Sequence, residues 1–98
     1  MQIPSNIKIG KHKIVINFVT PTEEEQFDFV GRFSRMDFEI DVNTNYPKSV
    51  QEEGFIHELL HATDIIYGLG LSEHQITVLA ERIYSNFLPL EIEKEDKC

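Results

Sequence analysis

SVQEEGFIHELLHATDIIYGLGLSEHQITVLAERIYSNFL, residues 49–88, decides the fold, because two helical periods stand here back to back with a glycine-rich break between them. Ser49 with Glu52 three residues on reads as the cap of a first helix, which ends at Gly68. Ser72 with Gln75 reads as the cap of a second, running to about Leu88 with Pro89 beyond it. At about 100° per residue, Phe55, Ile56, Leu59, Leu60, Ala62, Thr63, Ile66 and Tyr67 share one broad arc of the first helix, which must pack on something. On the second, Ile76, Leu79, Ala80, Ile83, Tyr84 and Phe87 do the same.

What they pack on lies upstream. IKIGKHKIVINFV (7–19) places Gly10 and Lys11 between two β-rich runs, a hairpin in whose second strand Ile14, Ile16 and Phe18 are expected inside. TPTEEEQFD reads as a polar turn, and VGRFSRMDFEIDVN (30–43) as a short strand, a break and a second strand. In that second strand Met36, Phe38, Ile40 and Val42 alternate with Asp37, Glu39 and Asp41, which predicts a half-buried strand at or near a sheet edge. Strands followed by helices indicate an α+β domain: a small N-terminal sheet, then two helices. One domain is expected over 1–90, with 91–98 a charged, disordered tail.

The bulk numbers narrow the function. A formal charge of −8 over 98 residues disfavours nucleic acid and anionic membrane as partners. With no long apolar run and no secretory leader pattern, the expected location is the cytoplasm. Cysteine occurs once, at Cys98, so any metal must be held by His and carboxylate.

Such ligands are at hand. With Phe55 at zero on the wheel, His57, His61 and Asp64 fall together at about 180° to 240°, so the two imidazoles stand one turn apart on a face turned from the core. Ile65, beyond that stripe, suggests that something covers this side. With Ile76 at zero, Glu73 lies at about 60°, along the apolar arc of the second helix, where a carboxylate is costly unless paired or coordinating. Glu81 at about 140° is the rival: if the helices form a plain antiparallel hairpin, it lies level with the histidines. His-Glu-x-x-His on a helix is a zinc-peptidase signature, in which two histidines hold Zn²⁺ and the glutamate, here Glu58, is aimed at the attacking water. In that chemistry the metal acidifies a water and polarises a carbonyl, while the glutamate moves the proton to the leaving amine.

HELLHATD followed by GLGLSEHQITVLAERIY resembles the small, often prophage-encoded zincin-like metallopeptidases of the ImmA/IrrE type. Their second helix follows the pattern E-x-x-[AV]-x-x-[LF]-A-x-x-[LI], onto which Glu73, Ile76, Leu79, Ala80 and Ile83 fall. The resemblance implies a minimal zincin-like fold, Zn²⁺ held by His57, His61 and Glu73, and Glu58 as the catalytic acid/base. It also implies hydrolysis of a narrow protein or peptide substrate, with a phage or host regulator as the class. The family's proteins are usually longer than this chain.

Two other readings stand beside this one: a catalytically weak zinc-containing module that docks a partner, and a metal-free helical interaction domain. Asp64 could accept the free imidazole N–H of a histidine, or be a surface carboxylate. Tyr46, Tyr67 and Tyr84 are the phenols available to an oxyanion, more simply read as packing residues. His12 and His74 read as exposed. The strand MDFEIDV is expected to receive a substrate backbone by edge pairing.

Overall fold

A computed structural model describes residues 1–87; Leu88, Pro89 and the charged tail lie outside the described residues. Strands β1 (Asn6–Ile9) and β2 (His12–Val19) are followed by a short 3-10 turn (Glu23–Glu25), strands β3 (Gly31–Ser34) and β4 (Glu39–Asn43), and helices α1 (Lys48–Tyr67) and α2 (Glu73–Phe87). The architecture is α+β, one four-stranded sheet followed by two helices. Among the described residues no helix is long and apolar enough to cross a membrane.

The sheet order is β1-β2-β4-β3. β1 and β2 form the expected hairpin, turned at Gly10 with φ of 59°, a value that glycine adopts without strain. β2 pairs parallel with β4, and β3 returns antiparallel along the far side of β4. One face of this mixed sheet is the core: Ile14, Ile16, Ile40 and Val42 meet Phe55, Ile56 and Ala62 of α1 and Ala80 of α2. Ile14 and Ile40 are wholly buried, each contributing about 1.5–3 kcal/mol of apolar transfer.

The other face is wet, which corrects two expectations. β4 is second from the edge, between β2 and β3, so it does lie near a sheet edge, but the edge strand beside the helices, expected to be MDFEIDV for backbone pairing, is β3. The alternation in β4 reports the wet face, where the Asn17 amide bridges Glu39 and Asp41 at 2.6 and 3.1 Å and Arg32 donates to Asp41 at 2.9 Å. β4 also starts later than expected. Met36 is 88% exposed in the turn, and Phe38, at φ of 54°, leaves the strand direction to stack its ring on His12 with centroids 4.8 Å apart. His12 is therefore half-buried rather than exposed. Phe18, expected inside, stands half exposed near the end of β2.

Asn43 at the end of β4 is fully buried, and its amide fixes the excursion between β2 and β3 by donating to the Gln26 and Phe29 carbonyls while accepting the Asn45 N–H. α1 begins two residues earlier than the Ser49 cap implies, after Pro47 and without a side-chain cap. Glu52 is not in a capping box; it is buried and accepts the Tyr84 hydroxyl at 2.8 Å, fastening α2 to α1. The Ser72–Gln75 box of α2 is formed in both directions, at 2.8 and 3.0 Å.

Candidate metal centre

His57 and His61 leave α1 on one side, with ring centroids 5.0 Å apart. The Glu73 carboxylate lies across them, Oε1 at 2.8 Å from His57 Nε2 and Oε2 at 2.9 Å from His61 Nε2. One ligand atom from each of the three fits within 4.8 Å of the others, and among the described residues this is the one group of three His, Cys, Asp or Glu side chains so placed.

Glu73 reaches the histidines because the connection between the helices runs backwards. α1 ends at Gly68 in the left-handed region, φ 62° and ψ 44°, whose N–H returns to the Asp64 carbonyl. Leu69 N–H bonds the same carbonyl at 3.2 Å, and Leu71 N–H bonds the Asp64 carboxylate at 3.1 Å. The chain thus doubles back along α1 before α2 starts, and α2 opens beside the histidines. A plain hairpin, which favoured Glu81, assumes that the turn consumes no length along α1. Glu81 is exposed and outside the group. Glu73 does not sit on a buried face as the wheel implied: its side chain is 67% exposed.

The donor set suits zinc: two imidazoles one helical turn apart, both presenting Nε2, and a carboxylate from the following helix. The exposure of Glu73 leaves the outer side of the group open to solvent.

Glu58 lies on the inner side. Burial pushes its carboxyl above the ordinary glutamate range, against the pull of His57 and His61 and with a further push from Glu73; the Phe33 N–H donates to it and holds the charged form. That donor is free for a reason of register. The Asn43 N–H to Val30 carbonyl bond sets the alternation of the β3–β4 ladder, which turns the backbone groups of Gly31 and Phe33 to the outer side of the edge strand. Two glycines let α1 approach: a β carbon on Gly31 would stand 3.1 Å from Glu58 Cγ, and one on Gly54 would stand 2.5 Å from Val30 Cγ1.

Along this seam run two hollows that share Gly31 and Glu58. One, of about 360 Å³, is lined by Val30, Val50, Glu53, Gly54 and His57 besides the shared pair. The other, of about 270 Å³, is lined by Arg32, Phe33, His61 and Ile65. Ile65 is thus a wall of the groove, which accounts for an apolar residue beyond the polar stripe.

The remaining candidates have other partners. The Asp64 carboxylate is engaged with Leu71 N–H, and no hydrogen bond joins it to either imidazole among the described residues. Tyr46 donates to the Phe27 carbonyl and Tyr84 to Glu52. Tyr67 is exposed, its hydroxyl beside Gly10. His74 is exposed, as expected. Gly31, Phe33 and Gly54 were not singled out from the sequence; a glycine in the middle of a helix, one turn before His57, was the available signal for Gly54.

No family model matches the chain, and neither a curated protein nor a solved structure matches it.

Proposed function

We propose that this domain is a zinc-dependent metallopeptidase of zincin-like type, with His57, His61 and Glu73 as ligands and Glu58 as general acid/base. The observation that carries the reading is the joint placement of three convergent ligand atoms and, one residue after His57, a carboxylate whose ionisation is opposed by burial. A zinc ion bound there would supply Lewis acidity to a water and to a peptide carbonyl. Glu58 takes the proton of that water as its oxygen adds to the carbonyl carbon, and returns it to the nitrogen as the C–N bond breaks.

The two hollows flanking Glu58 give seats to substrate side chains on either side of the cleaved bond. The walls from Val30, Val50 and Gly54 favour an apolar side chain in the larger. Edge pairing of a substrate backbone would use β3, the strand beside the site. An extended protein segment is the substrate class this supports; a phage or host regulator rests on the resemblance alone.

The test is Glu58→Gln in the zinc-loaded protein. Hydrolysis of candidate regulators or a peptide library is expected to fall about 10² to 10⁴-fold with zinc content unchanged. Undiminished cleavage removes Glu58 from the mechanism. Binding without cleavage by both forms favours the docking module.

A further inference from the structure

We infer that Asp64 is a positioning residue for the candidate metal centre: its carboxylate holds the turn between the helices doubled back along α1, and thereby sets the reach of Glu73 to His57 and His61. The inference rests on the metal reading above.

Glu73 needs such a device. It is the first residue of α2, its side chain is largely solvent-exposed, and it is reached through a turn with Gly68 and Gly70 at φ of 62° and 73°. A β carbon at either glycine would meet nothing within 4 Å, so no neighbour restrains the turn at these two positions. Glycine carries the largest backbone entropy of any residue, and a turn containing two of them in open space samples many conformations unless hydrogen bonds select one. Those bonds converge on Asp64. Its carbonyl accepts Gly68 N–H and Leu69 N–H, as the carbonyl of any residue could at this place. Its carboxylate accepts Leu71 N–H, two residues before Glu73, and this bond alone requires the side chain.

The geometry links two ligands through one helical turn. Asp64 follows His61 by three residues on α1, so the turn that presents one ligand also carries the tether of the segment that delivers another. From the inner side Ile76, 1% exposed, anchors α2 to the core. The Leu71 bond fixes the approach from the outer side. Losing it leaves α2 attached and its capping box intact, yet lets the first turn drift, and a ligand shared between two imidazoles tolerates little drift.

Asp64→Ala and Asp64→Asn separate this role from others, because an Asn side-chain oxygen can accept the same N–H without the charge. In the full chain, Asp64→Ala is expected to weaken zinc binding about 10-fold or more, the usual effect of removing a residue that orients a ligand. The visible spectrum of the cobalt-substituted protein should shift as Glu73 is lost, and Leu71 amide exchange should accelerate. Asp64→Asn should restore all three readouts. In a Glu73→Gln background, Asp64→Ala should cost no further zinc affinity. Unchanged affinity in Asp64→Ala overturns the inference while leaving the metal site standing. Equal loss in Asp64→Asn overturns it in favour of a charge effect or direct contact with a histidine. A wild-type chain that binds no zinc removes the metal reading itself, and with it this role.

Discussion

Substituting Gly54 by alanine tests how tightly α1 is pressed against β3. On an exposed helix face the change stabilises by about 0.8–1.0 kcal/mol, because alanine forgoes the backbone entropy of glycine. Here the added carbon would meet Val30 Cγ1 at 2.5 Å, well inside contact distance, and valine is stiff about its first side-chain torsion. Overpacking of this kind costs about 1–3 kcal/mol, so the net change should run from about zero to 2 kcal/mol destabilising. The sign should reverse once the obstacle is gone: in a Val30→Ala background, Gly54→Ala should stabilise by about 0.8–1.0 kcal/mol. The coupling between the two sites is then about 1–3 kcal/mol, measurable in a double-mutant cycle from urea unfolding of the metal-free protein. A net loss of 1 kcal/mol corresponds to a fall in Tm of about 4–8 °C for a domain of this size. Stabilisation by Gly54→Ala in the wild-type background, with no coupling to Val30, would refute the close approach of α1 and β3 on which the placement of Glu58 depends.

Glu58 gives a pH prediction whose sign follows from burial. Its folded carboxyl titrates above the unfolded one, so its contribution to stability is full below the ordinary glutamate range and is lost as pH rises through the raised value. Metal-free Glu58→Gln should accordingly gain on wild type across that window and level off above it; a pH-independent difference in urea midpoint would contradict this. Asn43→Ala removes three hydrogen bonds from a fully buried site, at about 0.5–1.5 kcal/mol each, and should cost about 1.5–4.5 kcal/mol. Unfolding by urea with a loss below 0.5 kcal/mol would show that the 26–30 segment is held by something else.

The parts of this fold that local patterning controls were legible in the sequence, and the parts set by distant contacts were not. Gly10 marked the hairpin, Gly68 the end of α1, and Ser72 with Gln75 the start of α2, each acting within a few residues of itself. The placement of His57 and His61 side by side on one face of α1 followed from helical period. Strand order did not, since the alternation of β4 is the same for an interior strand with one wet face as for an edge strand. Glu52 had the spacing of a capping residue but is claimed by Tyr84, a partner on the other helix. Glu73 is brought to the histidines, yet not by the buried face that singled it out: the turn doubling back over Asp64 delivers it, and nothing in helical periodicity encodes the path of a turn.

Zinc content of purified wild-type protein, set against the His57→Ala/His61→Ala double variant and Glu73→Gln, tests the central claim most directly. About one zinc per chain is expected in the wild type, none in the double variant, and retention weakened about 10-fold or more in Glu73→Gln. Full occupancy in the double variant would contradict the site, as would a zinc-bound structure in which Glu81 closes the coordination.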